Sequence, residues 1–336
     1  MSDSKLKSND YSWVRGFNYQ CSAGSTSFEN WMCFRPDLVE LELRRGKQYF
    51  PQFNTVRYWL SWDAFIRNPR RFTADFETAL QIADSLGLLA MPILLNRWHC
   101  VHQDNGGVYL ENIIPGLGWS FDPLFYRQYF DVIIGEHRND RRILAWDLCN
   151  EPFTYNKPLK DLGEIPALEF NWLKGMYDYV KAMPVSQAVS FGAHGMRELL
   201  PIQEEWERWH EQYAALMDII MIHPYYIGEQ NDLPKKAVYE QTLDFFTALA
   251  RKQNKGIIAT ETCWGSLDDE WRIENLRYSM GELKKRNIGM VPHALHHSLA
   301  PDLHLPEYGP VGLPGDLRFI NADGSLRKGH EAYNEY

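Results

Sequence analysis

Short apolar runs alternate with amphipathic stretches along the whole chain, the pattern of a parallel sheet whose strands are joined by crossover helices. Eight runs read as strands: Val14–Tyr19, Thr55–Ser61, Leu88–Asn96, Ile143–Asn150, Ala188–Gly192, Asp218–Tyr225, Gly256–Glu261 and Ile288–Leu295. Between them apolar positions recur at spacings of three and four. In the second helical stretch Phe76, Ala79, Leu80 and Ala83 share a face, and in the seventh Ile273, Leu276, Met280 and Leu283 do. Start signals agree with this phasing: Asp122-Pro123 offers an N-cap with proline in the first turn, and Ser266 with Asp269 resembles a capping box. Two segments rich in Gly and Pro break the rhythm, Arg97 to Ser120 after the third strand and Ser298 to Asn321 after the eighth. Eight strand–helix units in 336 residues predict an α/β fold, a single-domain (β/α)₈ TIM barrel over residues 11–336 behind a flexible tail of residues 1–10. Both long loops leave the C-terminal ends of strands, the barrel face that carries active sites, and are expected to wall a substrate pocket.

Charge and composition narrow the function classes. A net charge of −9 and a pI near 5.7 argue against a nucleic-acid partner, which needs clustered Lys and Arg; a small neutral or mildly cationic ligand fits better. Five scattered cysteines without CxxC spacing (Cys21, Cys33, Cys100, Cys149, Cys263) read as free thiols of a reducing compartment. The first ten residues are polar, and no later run approaches the roughly 20 apolar residues of a membrane span. A soluble, cytoplasmic protein without a membrane partner is expected. Twelve Trp and 18 Tyr supply rings of the kind that lie well against the C–H faces of sugars.

The chemistry is carried by two strand ends. In Trp146-Asp147-Leu148-Cys149-Asn150-Glu151-Pro152 an apolar strand ends in Asn-Glu, and the proline forces the chain out of the sheet, so the carboxyl stands at a tip. Ile257-Ile258-Ala259-Thr260-Glu261 ends in a second glutamate three β/α units on. Across a barrel mouth, such carboxyls can approach the roughly 5–5.5 Å that double displacement at a sugar requires. Glu261 is then the nucleophile and Glu151 the general acid/base, without metal or cofactor.

These motifs resemble glycoside hydrolase family 5 and its barrel relatives, whose acid/base is the Glu of Asn-Glu-Pro on strand four and whose nucleophile ends strand seven. The resemblance runs from about Val14 to Leu295. It implies that Arg57, in Thr55-Val56-Arg57-Tyr58-Trp59, holds the nucleophile ionised and oriented. His223-Pro224-Tyr225 resembles the family's His-x-Tyr, with the tyrosine on the nucleophile and the histidine beside the acid/base, and Asn150 resembles the asparagine that binds the sugar 2-hydroxyl. His99 at the end of strand three and His296 at the His-rich end of strand eight are further substrate-binding candidates. The family's strand-eight tryptophan platform is missing from Met290-Val291-Pro292-His293-Ala294-Leu295-His296-His297, and Trp264, or a loop ring such as Trp98 or Trp119, is the expected substitute.

A metal-dependent barrel hydrolase is the rival suggested by the His-rich strand ends, but strand one reads Gly16-Phe17-Asn18-Tyr19-Gln20 and lacks a His-x-His ligand pair. A sugar-binding barrel without catalysis would have no need of both glutamates. The expected activity is retaining hydrolysis of a β-linked glycoside, exo-acting on short β-glucosides or β-mannosides. Endo-acting cellulase or mannanase action and transglycosylation are the alternatives on the same scaffold.

Overall fold

The structure is a computed structural model that describes residues 9–98, 108–114, 116, 122, 124–155, 161–194, 203–227, 236–298, 302, 304–308 and 314–336. All eight expected strands form: β1 Gly16–Tyr19, β2 Thr55–Trp59, β3 Leu89–Asn96, β4 Ala145–Asn150, β5 Ala188–His194, β6 Ile219–His223, β7 Gly256–Ala259 and β8 Gly289–Met290. They pair in parallel in chain order. An Arg15–Met290 bridge, with Met290 N donating to Val14 O at 3.0 Å, joins β8 back to β1 and closes the barrel. The helices are α1 Ser27–Met32, α2 Pro36–Tyr49, α3 Trp62–Arg67, α4 Pro69–Ser85, α5 Leu110–Ile113, α6 Tyr126–Glu136, α7 Ile165–Lys181, α8 Gln203–Ala214, α9 Lys236–Gln253 and α10 Asp269–Lys285. Among the described residues no α-helix of comparable length follows β8. A 3₁₀ turn, His330–Glu335, packs there instead, with Tyr333 4.8 Å from Phe17 between ring centroids.

Strand alternation divides the core in two. On β6, Ile220 and Ile222 point out to the helices, while Ile219 and Met221 point into the barrel. The inward set, with Val14, Met91, Leu144, Ala145, Ile258 and Val291, forms an apolar floor under Tyr11. Gly256 makes room for that floor, since a Cβ there would lie 2.2 Å from the Tyr11 ring. Each helix contributes one buried stripe; in α4 it is Phe72, Phe76, Ala79, Leu80 and Ala83, containing the face expected from spacing.

Several local expectations are corrected. The eighth strand is two residues long because Pro292 has no N–H for the ladder. Beyond it the backbone bonds elsewhere: His293 N to Thr262 O (3.2 Å), Ala294 N to Leu317 O (3.0 Å) and Leu295 N to Asn18 O (3.0 Å). Helix α10 is capped by Asp268, which accepts from Glu270 N and Trp271 N, while Ser266 only takes the Asp268 amide. Asp122 closes a turn by accepting from Leu124 N, and α6 begins later, at Tyr126; Pro123 lies outside the described residues, as do residues 1–8 of the expected tail. Cys21, Cys33, Cys149 and Cys263 are free, and Cys100 is outside the described set. Among the described residues no helix is long and apolar enough to cross a membrane.

Candidate active site

At the upper end of the barrel the inward positions change from apolar to charged. On β4 this needs a break in alternation. Ala145 and Asp147 face inward, and strict period two would aim Cys149 inward next. The register slips between Asp147 and Asn150 where β4 meets β5, so Leu148 and Cys149 both pack in the outer core and Asn150 returns to the interior. Glu151 then leaves the strand with φ of 46°, a left-handed conformation that a non-glycine residue adopts at some cost. Glu151 N donates to Gly192 O at 2.8 Å, and Thr154 Oγ1 donates to Glu151 O at 2.9 Å, which holds the turn.

Arg57, fully buried on β2, is the hub. It donates through Nη1 to Glu261 Oε1 (2.5 Å) and Asn18 Oδ1 (2.7 Å), through Nη2 to Asn150 Oδ1 (2.9 Å), and through Nε and Nη2 to Asp147 Oδ2 (3.0 and 2.8 Å). Burial works against its charge, but Asp147 and Glu261 outweigh that and keep it a cation. Tyr225 Oη donates to Glu261 Oε2 at 2.8 Å; burial and then the two glutamates push its own ionisation far up, so it remains a donor. His223 Nδ1 lies 2.7 Å from Glu151 Oε1 and 3.6 Å from Glu261 Oε2. Its Nε2 is buried and meets no hydrogen-bond partner among the described residues. Placing the proton on Nδ1 avoids an orphaned N–H and makes the imidazole a donor to Glu151. Burial, against the pull of Glu261, drives His223 well below the usual histidine range, so it is neutral. Gly192 permits this packing, because a Cβ there would sit 2.5 Å from His223 Nε2 and 2.9 Å from Arg57 Nη2.

The two carboxyls differ in charge state for stated reasons. Burial, then the nearness of Glu261, push Glu151 well above the usual carboxylate range, with Arg57 opposing. For Glu261 burial also opposes ionisation, but the Arg57 cation, helped by the polar rings of His223 and His293, outweighs it and holds the group well below that range. Carboxylate oxygens of Glu151 and Glu261 and a ring nitrogen of His223 all lie within 4.8 Å of one another. A divalent cation could bridge such a set, but Arg57 already supplies the positive charge that Glu261 and Asp147 need. In a second such group, Glu77, His137 and Asp140, Arg142 binds both carboxylates.

A second buried pair steadies the chain after Glu151. Glu169 on α7 accepts from Arg97 Nε (2.8 Å), from Phe153 N (3.0 Å) and from the Tyr155 hydroxyl.

Glu151, Glu261, Arg57, Asn150, His223 and Tyr225 thus meet in one cluster. Trp264 stands behind it, edge-on to Tyr225 with centroids 5.2 Å apart, and His304 lies between Trp264 (4.9 Å) and Trp98 (6.2 Å). His296 is elsewhere: its Nδ1 is 3.6 Å from Glu42 Oε1 and its Nε2 is 3.4 Å from Arg45 Nη1, both on α2 outside the barrel wall, because the chain has turned away after Pro292. His99 and Trp119 lie outside the described residues. Sequence reasoning missed Asn18, Asp147, His293 and Trp59. Period two from Arg57 would have found Trp59, and from Ala145 would have found Asp147.

No family model matches the sequence. An alignment of 134 positions that covers 36% of this chain is 26% identical to a probable mannan endo-1,4-β-mannosidase C of Aspergillus terreus and takes in only 32% of that protein's length. A family 5 subfamily 18 (GH5_18) structure from Streptomyces cattleya in complex with GlcNAc superposes with a TM-score of 0.69 at 14% identity, over 95% of this chain and 78% of the other. For an exo-β-1,4-mannosidase from Opitutaceae bacterium strain TAV5 the values are 0.67 and 18%, over 95% and 58%. For a hyperthermostable endo-1,4-β-D-mannanase from Thermotoga petrophila RKU-1 they are 0.66 and 14%, over 96% and 98%. The (β/α)₈ fold expected from the sequence is established by these superpositions, and the solved barrels that this chain is similar to include family 5 glycoside hydrolases and mannan-cleaving enzymes.

Proposed function

We propose that the chain is a glycoside hydrolase that cleaves a β-linked glycoside with retention of anomeric configuration. One observation carries the reading: an ionised and a protonated glutamate within 4.8 Å across a barrel mouth. That gap suits attack by a carboxylate on the sugar itself, whereas inversion needs roughly 6.5–9.5 Å to admit a water between the groups. Glu261, held by Arg57 and Tyr225, attacks the anomeric carbon as the bond to the leaving oxygen breaks, and Glu151 gives that oxygen its proton. In the second half Glu151 takes a proton from water, whose oxygen displaces Glu261 and releases the sugar. Asn150, fixed by Arg57 and by its own donation to Asn96 Oδ1 (3.0 Å), is suited to hold a sugar hydroxyl. Trp264, Trp98 and Trp59 are the ring faces at hand for stacking.

The mannoside names among the similar proteins favour a β-mannoside over a β-glucoside. Exo action on a short oligosaccharide fits the long segments after β3 and β8, and the free cysteines among the described residues suit a cytoplasmic enzyme fed by small imported substrates. Endo action is the second reading, favoured by the close coverage of the Thermotoga mannanase. A panel of nitrophenyl β-glycosides, with the first-formed product anomer followed by proton NMR, tests the proposal. Initial release of the β-anomer is expected; initial release of the α-anomer would refute retention. Rapid viscosity loss of mannan with little monosaccharide would decide for the endo reading, and transfer to an added acceptor sugar for transglycosylation.

A further inference from the structure

His293 stands beside the paired carboxyls, and no bond-making step above uses it. Its backbone is pinned on both sides: N donates to Thr262 O at 3.2 Å and O accepts from Arg272 Nη2 at 3.5 Å. The ring is therefore presented from a fixed point. Nδ1 lies 3.7 Å from Glu261 Oε2 and 3.5 Å from Tyr225 Oη, at the limit of or beyond a good hydrogen bond. The other polar groups at Glu261 are committed: Arg57 donates to four residues, the Tyr225 proton goes to Glu261, and His223 serves Glu151. His293 keeps unspent hydrogen-bonding capacity, and its side chain is 16% exposed where those of Glu151 and Glu261 are 7% and 6%. Its ring continues that of Trp59, the inward residue at the tip of β2, with centroids 6.5 Å apart and planes inclined by 31°. Together they make one wall, part indole and part imidazole, that runs to the edge of Glu261.

A sugar whose anomeric carbon meets Glu261 comes close to this wall. We propose that His293 is a specificity-determining residue that hydrogen-bonds a hydroxyl of the sugar held at Glu261, while Trp59 covers an apolar face of the same ring. The inference rests on the glycosidase reading and adds that the occupied sugar is selected by a polar contact at the tip of β8 rather than by stacking alone. A site built to bond a hydroxyl discriminates against the sugar lacking it, because the protein group is then left without its partner.

The test compares wild type, His293→Phe, which keeps a flat ring but no hydrogen bond, and His293→Gln, which keeps a donor and acceptor. Each is assayed on the preferred nitrophenyl β-glycoside and on its set of single-deoxy analogues. His293→Phe is expected to lose roughly tenfold in kcat/KM on the parent sugar, with His293→Gln within a few-fold of wild type, and the loss should vanish on one deoxy sugar only. Equal activity of wild type and His293→Phe on the parent, or the same loss on every deoxy sugar, overturns the inference. Should His293→Phe fail to fold by circular dichroism, His293→Leu makes the same comparison. A wild type inert on all β-glycosides, or a Glu261→Ala variant that still turns over, sinks the glycosidase reading with it; an active wild type with an indifferent His293→Phe sinks this inference alone.

Discussion

The two ends of the barrel interior are built on the same strands and the same alternation, yet they spend stability in opposite directions. At the floor, Ile219 and Met221 of β6 join Val14, Met91, Ile258 and Val291 in a dry cluster that gains from every methylene removed from water. Two and four residues above Met221 the same face carries His223 and Tyr225, and around them Arg57, Asp147 and Glu261 are buried with their charges beside a protonated Glu151. Burying such groups is costly unless each is paired, and the density of bonds on Arg57 is what makes the upper layer tolerable. The floor makes the scaffold stable, and the mouth uses part of that stability to hold two carboxyls in unlike protonation states.

This contrast can be broken or sharpened by substitution. The largest effect is expected for Glu261→Ala, with kcat reduced by roughly 10⁴-fold or more. Its thermal unfolding midpoint should not fall, because Arg57 retains Asp147 and the layer loses a surplus negative charge. Near-normal turnover would end the assigned role. Glu151→Ala should slow ordinary glycosides by about 10²–10⁴-fold while substrates with an activated leaving group still react. Since the Glu151 carboxyl is raised, wild-type kcat/KM should decline on the basic side as Glu151 loses its proton, and this limb should be missing from the variant's profile on activated substrates. Persistence of the limb would assign it to another group. Arg57→Met leaves Asp147 and Glu261 buried without their cation and should cost about 3–5 kcal/mol in urea unfolding. The mildest is Met221→Ala at the floor, expected to cost about 2–5 kcal/mol with kcat of the folded fraction within a few-fold of wild type. A floor substitution that cut kcat more than stability would erase the division between the two ends.

Much of this was legible in the residues themselves. Eight apolar runs at β/α spacing specified the barrel because both faces of every strand are covered, so the runs are nearly continuous. The last strand was overread because Pro292 ends the ladder inside an apolar run, and His296 was drawn to the site by the same error. Glu151 and Glu261 stood out because each ends a strand abruptly, and the structure brings them together with Arg57, Asn150, His223 and Tyr225. Asn18 carried no local signal, since its partners, Arg57, Thr260 and Val291, come from distant strands. Asp147 lay within the very segment that pointed to Glu151, but its reason for being there is Arg57, 90 residues away.

The register slip in β4 has a consequence for anyone who would graft or trim this barrel. Because Leu148 and Cys149 share the outer side, Asn150 faces the interior only while the slip against β5 is held. Were both residues kept and the slip lost, strict alternation would turn Cys149 inward and send the Asn150 side chain toward the helices, leaving a barrel with a sound foundation and a disarmed rim.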